Sequence, residues 1–164
     1  MSAKVNTENV RVLHARARVQ AIDLDRIGLQ LQAQPGWDAE RAAQAVEQYR
    51  QFLTLVLLNP GQCVTPPGPD ADAVWHAHIL DTQAYQRDCQ RLFGGFLHHR
   101  PAHGVTDDEA TLTAAAREKT ASLLRTYFPE TAPSEAPVNR EAFCVCLVLG
   151  SRDQADDNFT LAAR

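Results

Sequence analysis

Lysine is almost missing from this chain: Lys4 and Lys119 stand against 14 arginines. Basic residues as a whole are outnumbered, 16 to 20, by acidic ones. A net charge of −4 and a pI near 5.8 exclude the basic surface that a nucleic-acid-binding domain presents. Residues 1–20 alone lean the other way, with Lys4, Arg11, Arg16 and Arg18 against Glu8, and the group Arg11, His14, Arg16, Arg18 reads as a solvated face. Long apolar runs are also lacking. The longest, 52–58 and 142–149, fall far short of the roughly 20 residues needed to span a bilayer. The opening MSAKVNTENVRV has neither an apolar core nor a small-residue cleavage site, so it does not read as a secretory signal. Cysteines at 63, 89, 144 and 146 are too few to staple 164 residues as a disulfide scaffold. These absences predict a cytoplasmic protein with no membrane and no nucleic-acid partner.

What is present favours helix. Apolar residues make up 45% and charged residues 22%, the composition of a folded globular chain. The 25 alanines and the arginine bias supply strong helix formers. Leu24, Ile27 and Leu31 recur at helical spacing over 23–33, and Gln34-Pro35-Gly36 stops that segment. Asp38 is a good N-cap for a second helix to about 58, striped by Ala42, Val46, Tyr49, Leu53 and Val56. After the proline-stiffened stretch 62–69, a third helix is predicted over 70–93, capped by Asp70 or Asp72 and ended by Gly94-Gly95. A loop over 95–105 follows. Thr106-Asp-Asp-Glu109 has the form of a capping box for a fourth helix to about 128. Residues 8–33 upstream are mostly helix-compatible, although 10–19 partly alternates in the strand manner.

The expected fold is therefore mainly α, a compact bundle of about four helices with 70–93 as the central one. A short apolar segment, 143–149, reads as a strand or a docked helix, and a polar tail closes the chain. Three regions follow: a partly helical extension over 1–21, the helical domain over 22–128, and a linker and tail over 129–164.

Chemistry concentrates in one place. Five of the six histidines fall within 76–103, together with Asp72, Asp81, Asp88, Tyr85 and Cys89. Imidazole with carboxylate suits Zn, Fe or Mn, and a thiolate would shift the preference towards Zn. His76 and His78 are two residues apart, about 200° around a helix axis, so they cannot share one ion on a regular helix. Asp72 pairs with His76 at i,i+4 and Asp81 with His78 at i,i+3. His98, His99 and His103 lie in the returning loop and are free to fold back onto either face. The expected site joins His76 or His78 to His99, with Asp72 or Asp81 as carboxylate and His98 and His103 as lesser candidates. The unused helix histidine would then be held by Tyr85 or a backbone carbonyl. Neither an H-E-x-x-H arrangement nor a nucleophile elbow is present. Cys144-Val-Cys146 offers soft ligands, or two small core residues in an apolar run.

The segment from Asp70 to Pro101 also carries a resemblance. Asp72, Trp75-His76-Ala77-His78, Tyr85, Asp88-Cys89, Phe93-Gly94 and His99-Arg100-Pro101 are similar to the signature of the glycine-rich domain-containing protein-like family. Gly36-Trp37, Tyr49 and Phe52-Leu53 fit the same pattern upstream, so the resemblance covers about 22–128. It implies a small form without the glycine-rich tract, and no role of that tract carries over. It implies no activity either; the larger plant relatives are associated with stress and developmental responses.

Two functions follow as expectations. One is a small helical protein binding one divalent transition metal, Zn or Fe, through His76, His78, His99, Asp72 and Asp81 as candidate ligands. The other is a non-catalytic interaction or accessory module, acting on a protein partner, in which the same cluster is a structural polar network.

Overall fold

Asp38, in extended conformation, accepts a hydrogen bond from the Arg41 amide at 2.8 Å and starts α3, Ala39–Leu58. This cap satisfies one of the amides a helix start leaves without an intrahelical partner. In the computed structural model, which describes residues 2–101, 107–131 and 144–148, α3 is the hub. It packs against α1 (Ser2–Gln20), α2 (Asp25–Gln32), α4 (Pro69–Leu80) and α6 (Asp107–Tyr127). From Tyr49 onward its residues are buried on nearly every side, among them Phe52, Leu53, Leu55 and Val56. The main core joins these to Leu24, Leu31, Val74, Trp75, Tyr85, Leu92 and Leu97. Among the described residues no helix is long and apolar enough to cross a membrane.

The architecture is mainly α, as expected, but the described residues form six helices rather than four, and the central one is α3, not 70–93. The predicted helix over 70–93 is broken at Asp81, whose backbone (φ −82°, ψ 71°) leaves the helical region and ends α4. Its carboxylate accepts a hydrogen bond from the Ala84 amide at 3.3 Å and starts α5, Thr82–Phe93. Apolar periodicity runs straight through such a break, because one non-helical residue hardly disturbs the spacing; the Asp-Thr capping pair is the signal that marks it. The sixth helix is α1, which is helical throughout despite its partial strand alternation.

The basic group on α1 lies at the surface, with Arg11, His14 and Arg18 exposed and Arg16 half-buried, and its arginines reach across to other helices. Arg11 donates to the Leu58 carbonyl at the end of α3, and Arg16 donates to the Tyr127 carbonyl at the end of α6. Arg18 donates to the Arg91 and Leu92 carbonyls of α5 at 2.9 and 2.6 Å. Arg50 returns the arrangement from α3, reaching the Val19 and Ile22 carbonyls at 2.8 and 3.1 Å. The guanidiniums of Arg11, Arg16 and Arg18 meet carbonyls that the last turn of a helix cannot satisfy itself, at the negative end of the helix dipole, while Arg50 meets one carbonyl in the last turn of α1 and one just beyond it. Arg18→Ala is expected to cost about 1–2 kcal/mol, the range for hydrogen bonds to a charged group at partial exposure. A urea midpoint lowered at unchanged slope would register it; an unchanged midpoint would mean that water replaces the guanidinium without loss.

Gly94, left-handed at φ 71°, ends α5, a conformation that costs glycine nothing. The chain then runs into β1, Leu97–Pro101, inside the segment expected as a loop. β1 pairs antiparallel with β2, Cys144–Val148, so the short apolar segment is a strand. A hydrogen-bond relay sets where β1 docks. Trp75 Nε1, fully buried, donates to the Tyr85 hydroxyl at 2.9 Å, and that hydroxyl donates to the Leu97 carbonyl. Successive strand side chains point to opposite faces. Leu97 is buried and His98 exposed, while His99 turns back towards α4. His103, the linker from 132 to 143 and the tail after 148 lie outside the described residues.

Candidate metal centre

One turn of α4 puts Asp72 and His76 on the same helix face, with His76 Nδ1 3.6 Å from Asp72 Oδ2. β1 delivers the third group: His99 Nε2 lies 3.7 Å from Asp72 Oδ1. The two imidazoles face each other with centroids 4.4 Å apart and planes inclined by 40°. One ligand atom from each of Asp72, His76 and His99 can be chosen so that all lie within 4.8 Å of one another. The two carboxylate–imidazole separations are too long for hydrogen bonds. They are close to the spacing of about 3.4 Å between ligands arranged tetrahedrally at about 2.1 Å from a zinc ion. The cluster has a wall and a mouth. Trp75, fully buried, packs on His99 with ring centroids 4.6 Å apart. The Asp72 and His99 side chains are 12% and 13% exposed, whereas that of His76 is 53% exposed, so solvent reaches the group from the His76 side.

His78 points away from this group, as its 200° offset requires. Its Nδ1 is 3.0 Å from the Tyr49 hydroxyl, and its Nε2 is 3.4 Å from Asp88 Oδ2, both side chains being 2% exposed. Asp88 Oδ1 accepts from Arg87 Nε at 3.2 Å. Burial lowers the His78 pKa, and the Asp88 charge opposes that shift without overcoming it. With the ring neutral, Tyr49 donates to Nδ1 and the Nε2–H faces Asp88. The contact is electrostatic and not a hydrogen bond: among the described residues neither His78 Nε2 nor Asp88 Oδ2 meets a hydrogen-bond partner. Tyr85 completes the surround, edge-on to His78 at 5.0 Å. This is a buried polar chain linking α3, α4 and α5.

A depressed histidine pKa has a definite sign. The folded state holds fewer protons than the unfolded chain once pH falls below the ordinary histidine value of about 6.5. The stabilisation is complete above that value and is lost as pH falls through the folded pKa. The thermal midpoint is therefore expected to drop on going from pH 7.5 to pH 5. In an NMR titration the His78 ring should change charge below about 6.5, and a midpoint above that would show that Asp88, not burial, governs the ring.

The other candidates are placed as follows. Asp81 is the N-cap of α5, remote in role from the cluster. His98 sits on the opposite face of β1 from His99, exposed and stacked on Phe96 at 4.8 Å. His103 lies outside the described residues. Cys89 is buried, and burial pushes its thiol pKa up. Two contributors carried no sequence signal as site residues. Tyr49 partners His78 from 29 positions away, and Trp75 walls the cluster from a position that reads only as core.

A family model described as UCP032817-like matches residues 25–126. The chain belongs to the UCP032817-like family. That match corrects the resemblance drawn from the segment 70–101, because no glycine-rich domain family is found. Much of that signature builds the fold: Trp75, Tyr85, Asp88 and Cys89 are buried, and Gly94 terminates α5. Such letters report how a core is assembled rather than lineage. No curated protein and no solved structure matches the chain. The UCP032817-like family is an uncharacterised one, so membership assigns no reaction to Asp72, His76 or His99.

Proposed function

We propose that this protein binds one divalent transition metal, Zn or Fe, through Asp72, His76 and His99. The observation that carries the reading is the convergence of one carboxylate and two imidazoles, from two separate elements, at the spacing of ligands around a single ion. Two histidines and one carboxylate are the donor set that suits zinc or ferrous iron, whereas calcium and magnesium favour all-oxygen shells. The wall of Trp75 against His99 fixes the orientation of one ligand ring before any ion arrives, which lowers the ordering cost of binding.

Purified full-length protein, dialysed against Zn(II) or Fe(II) and then against metal-free buffer, is expected to retain one equivalent per chain. Failure to retain either metal, and failure to bind on titration, would sink the reading. The competing reading, a non-catalytic interaction module, would then lead. The observation favouring it is the large exposure of two leucines, Leu29 on α2 and Leu80 on α4, apolar side chains that a protein partner would cover.

A further inference from the structure

The helix face that carries two of the proposed ligands continues past them. Asp72, His76 and Leu80 follow one another at i,i+4 spacing on α4, which is regular over 69–80. Residues four apart on a helix are neighbours, with Cβ atoms about 5–6 Å apart, and each side chain leans over the turn before its own. Leu80 therefore stands beside His76, on the side away from Asp72. Both are open to solvent: the His76 side chain is 53% exposed and Leu80 is 77% exposed. Trp75, fully buried, closes the group behind His99.

Charge adds a second constraint. An imidazole ligates in its neutral form, so a divalent ion held by Asp72, His76 and His99 keeps one net positive charge. The three ligands among the described residues are also one fewer than a tetrahedral shell takes, the pattern of zinc sites that hold an exchangeable ligand. The other two carboxylates of this segment are engaged elsewhere. Asp70 pairs with Arg41 at 2.8 Å, and Asp81 caps α5. We propose that the ion takes an exogenous aliphatic carboxylate on the His76 side, an inference that rests on the metal reading above. One carboxylate oxygen displaces water from the metal, and the hydrocarbon chain lies along Leu80. A small inorganic anion would satisfy the charge but leave Leu80 in water. Covering Leu80 removes apolar surface from solvent, which favours the longer-chain ligand.

Cobalt(II) makes the exchangeable position visible, because its visible absorption changes in intensity and position with each ligand it gains or loses. The full-length chain, loaded with one equivalent of cobalt, is titrated with acetate and with hexanoate. Both are expected to change the spectrum saturably, hexanoate at about tenfold lower concentration, a gain that about two buried methylenes supply. Leu80→Ala, at a site too exposed to matter to the fold, should leave cobalt affinity unchanged and bring the two anions to within about threefold of each other. His99→Ala should remove the cobalt spectrum and, with it, the response to either anion. A spectrum indifferent to both anions, equal affinities for the two in the parent chain, or a hexanoate preference that survives Leu80→Ala would each overturn the carboxylate site while leaving the three-ligand reading intact. No cobalt binding at all would overturn both.

Discussion

Replacing His99 with alanine is expected to weaken zinc binding by at least about 100-fold, because even supporting groups around a bound metal are worth 10–100-fold. His98→Ala, one residue earlier, is expected to leave the affinity unchanged. The contrast follows from strand geometry. His99 Nε2 lies 3.7 Å from Asp72 Oδ1, while His98 stacks on Phe96 on the exposed face of the same strand. A helix would place adjacent histidines about 100° apart, on overlapping surfaces; a strand separates them completely. Equilibrium dialysis of the two variants against labelled zinc measures both affinities in one experiment. Equal loss in both would show that β1 does not present its residues as described. No loss in either would remove His99 from the site.

The same geometry shows which parts of the site were legible in advance. The i,i+4 spacing of Asp72 and His76 and the angular offset of His78 follow from the helical period alone, and both hold because α4 is regular over 69–80. Which of the two histidine faces would meet the returning segment could not be read from spacing. That outcome depends on Tyr85 donating to the Leu97 carbonyl, a contact that fixes the docking of β1 and has no periodic signature. The ends of α3 were legible because a cap and an apolar stripe coincide there, and α6 covers most of the helix predicted to about 128, although Thr106 of its expected capping box lies outside the described residues. The break at Asp81 was not legible, because its evidence is one capping side chain inside an otherwise apolar pattern. The partners of the α1 arginines were not legible for a related reason. Those partners are carbonyls of other helices, and a linear pattern of charge does not say what lies opposite.

The largest stability effect is expected at Trp75, which joins the core to the centre. Its indole is fully buried, lies against Phe52 with centroids 4.9 Å apart, donates to Tyr85 and walls His99. Trp75→Ala is expected to cost about 3–5 kcal/mol, through lost burial and the cavity left behind. Against a typical total of about 5–15 kcal/mol, that leaves a marginal fold. Trp75→Phe keeps a ring in place but removes the indole donor, and about 1–2 kcal/mol is expected. Its smaller cost reflects the Tyr85 hydroxyl, which loses an incoming bond yet still donates to Leu97. Urea titrations with and without saturating zinc separate the packing role from the ligand-holding one. An ion at 100 times its dissociation constant stabilises the folded state by about 2.7 kcal/mol, and weaker binding shrinks that increment. Trp75→Phe should retain most of the zinc increment and Trp75→Ala should lose much of it, since only alanine frees the His99 ring to turn. An alanine variant as stable as the parent would refute the packing role. One that keeps the full increment would show that His99 is held by β1 alone.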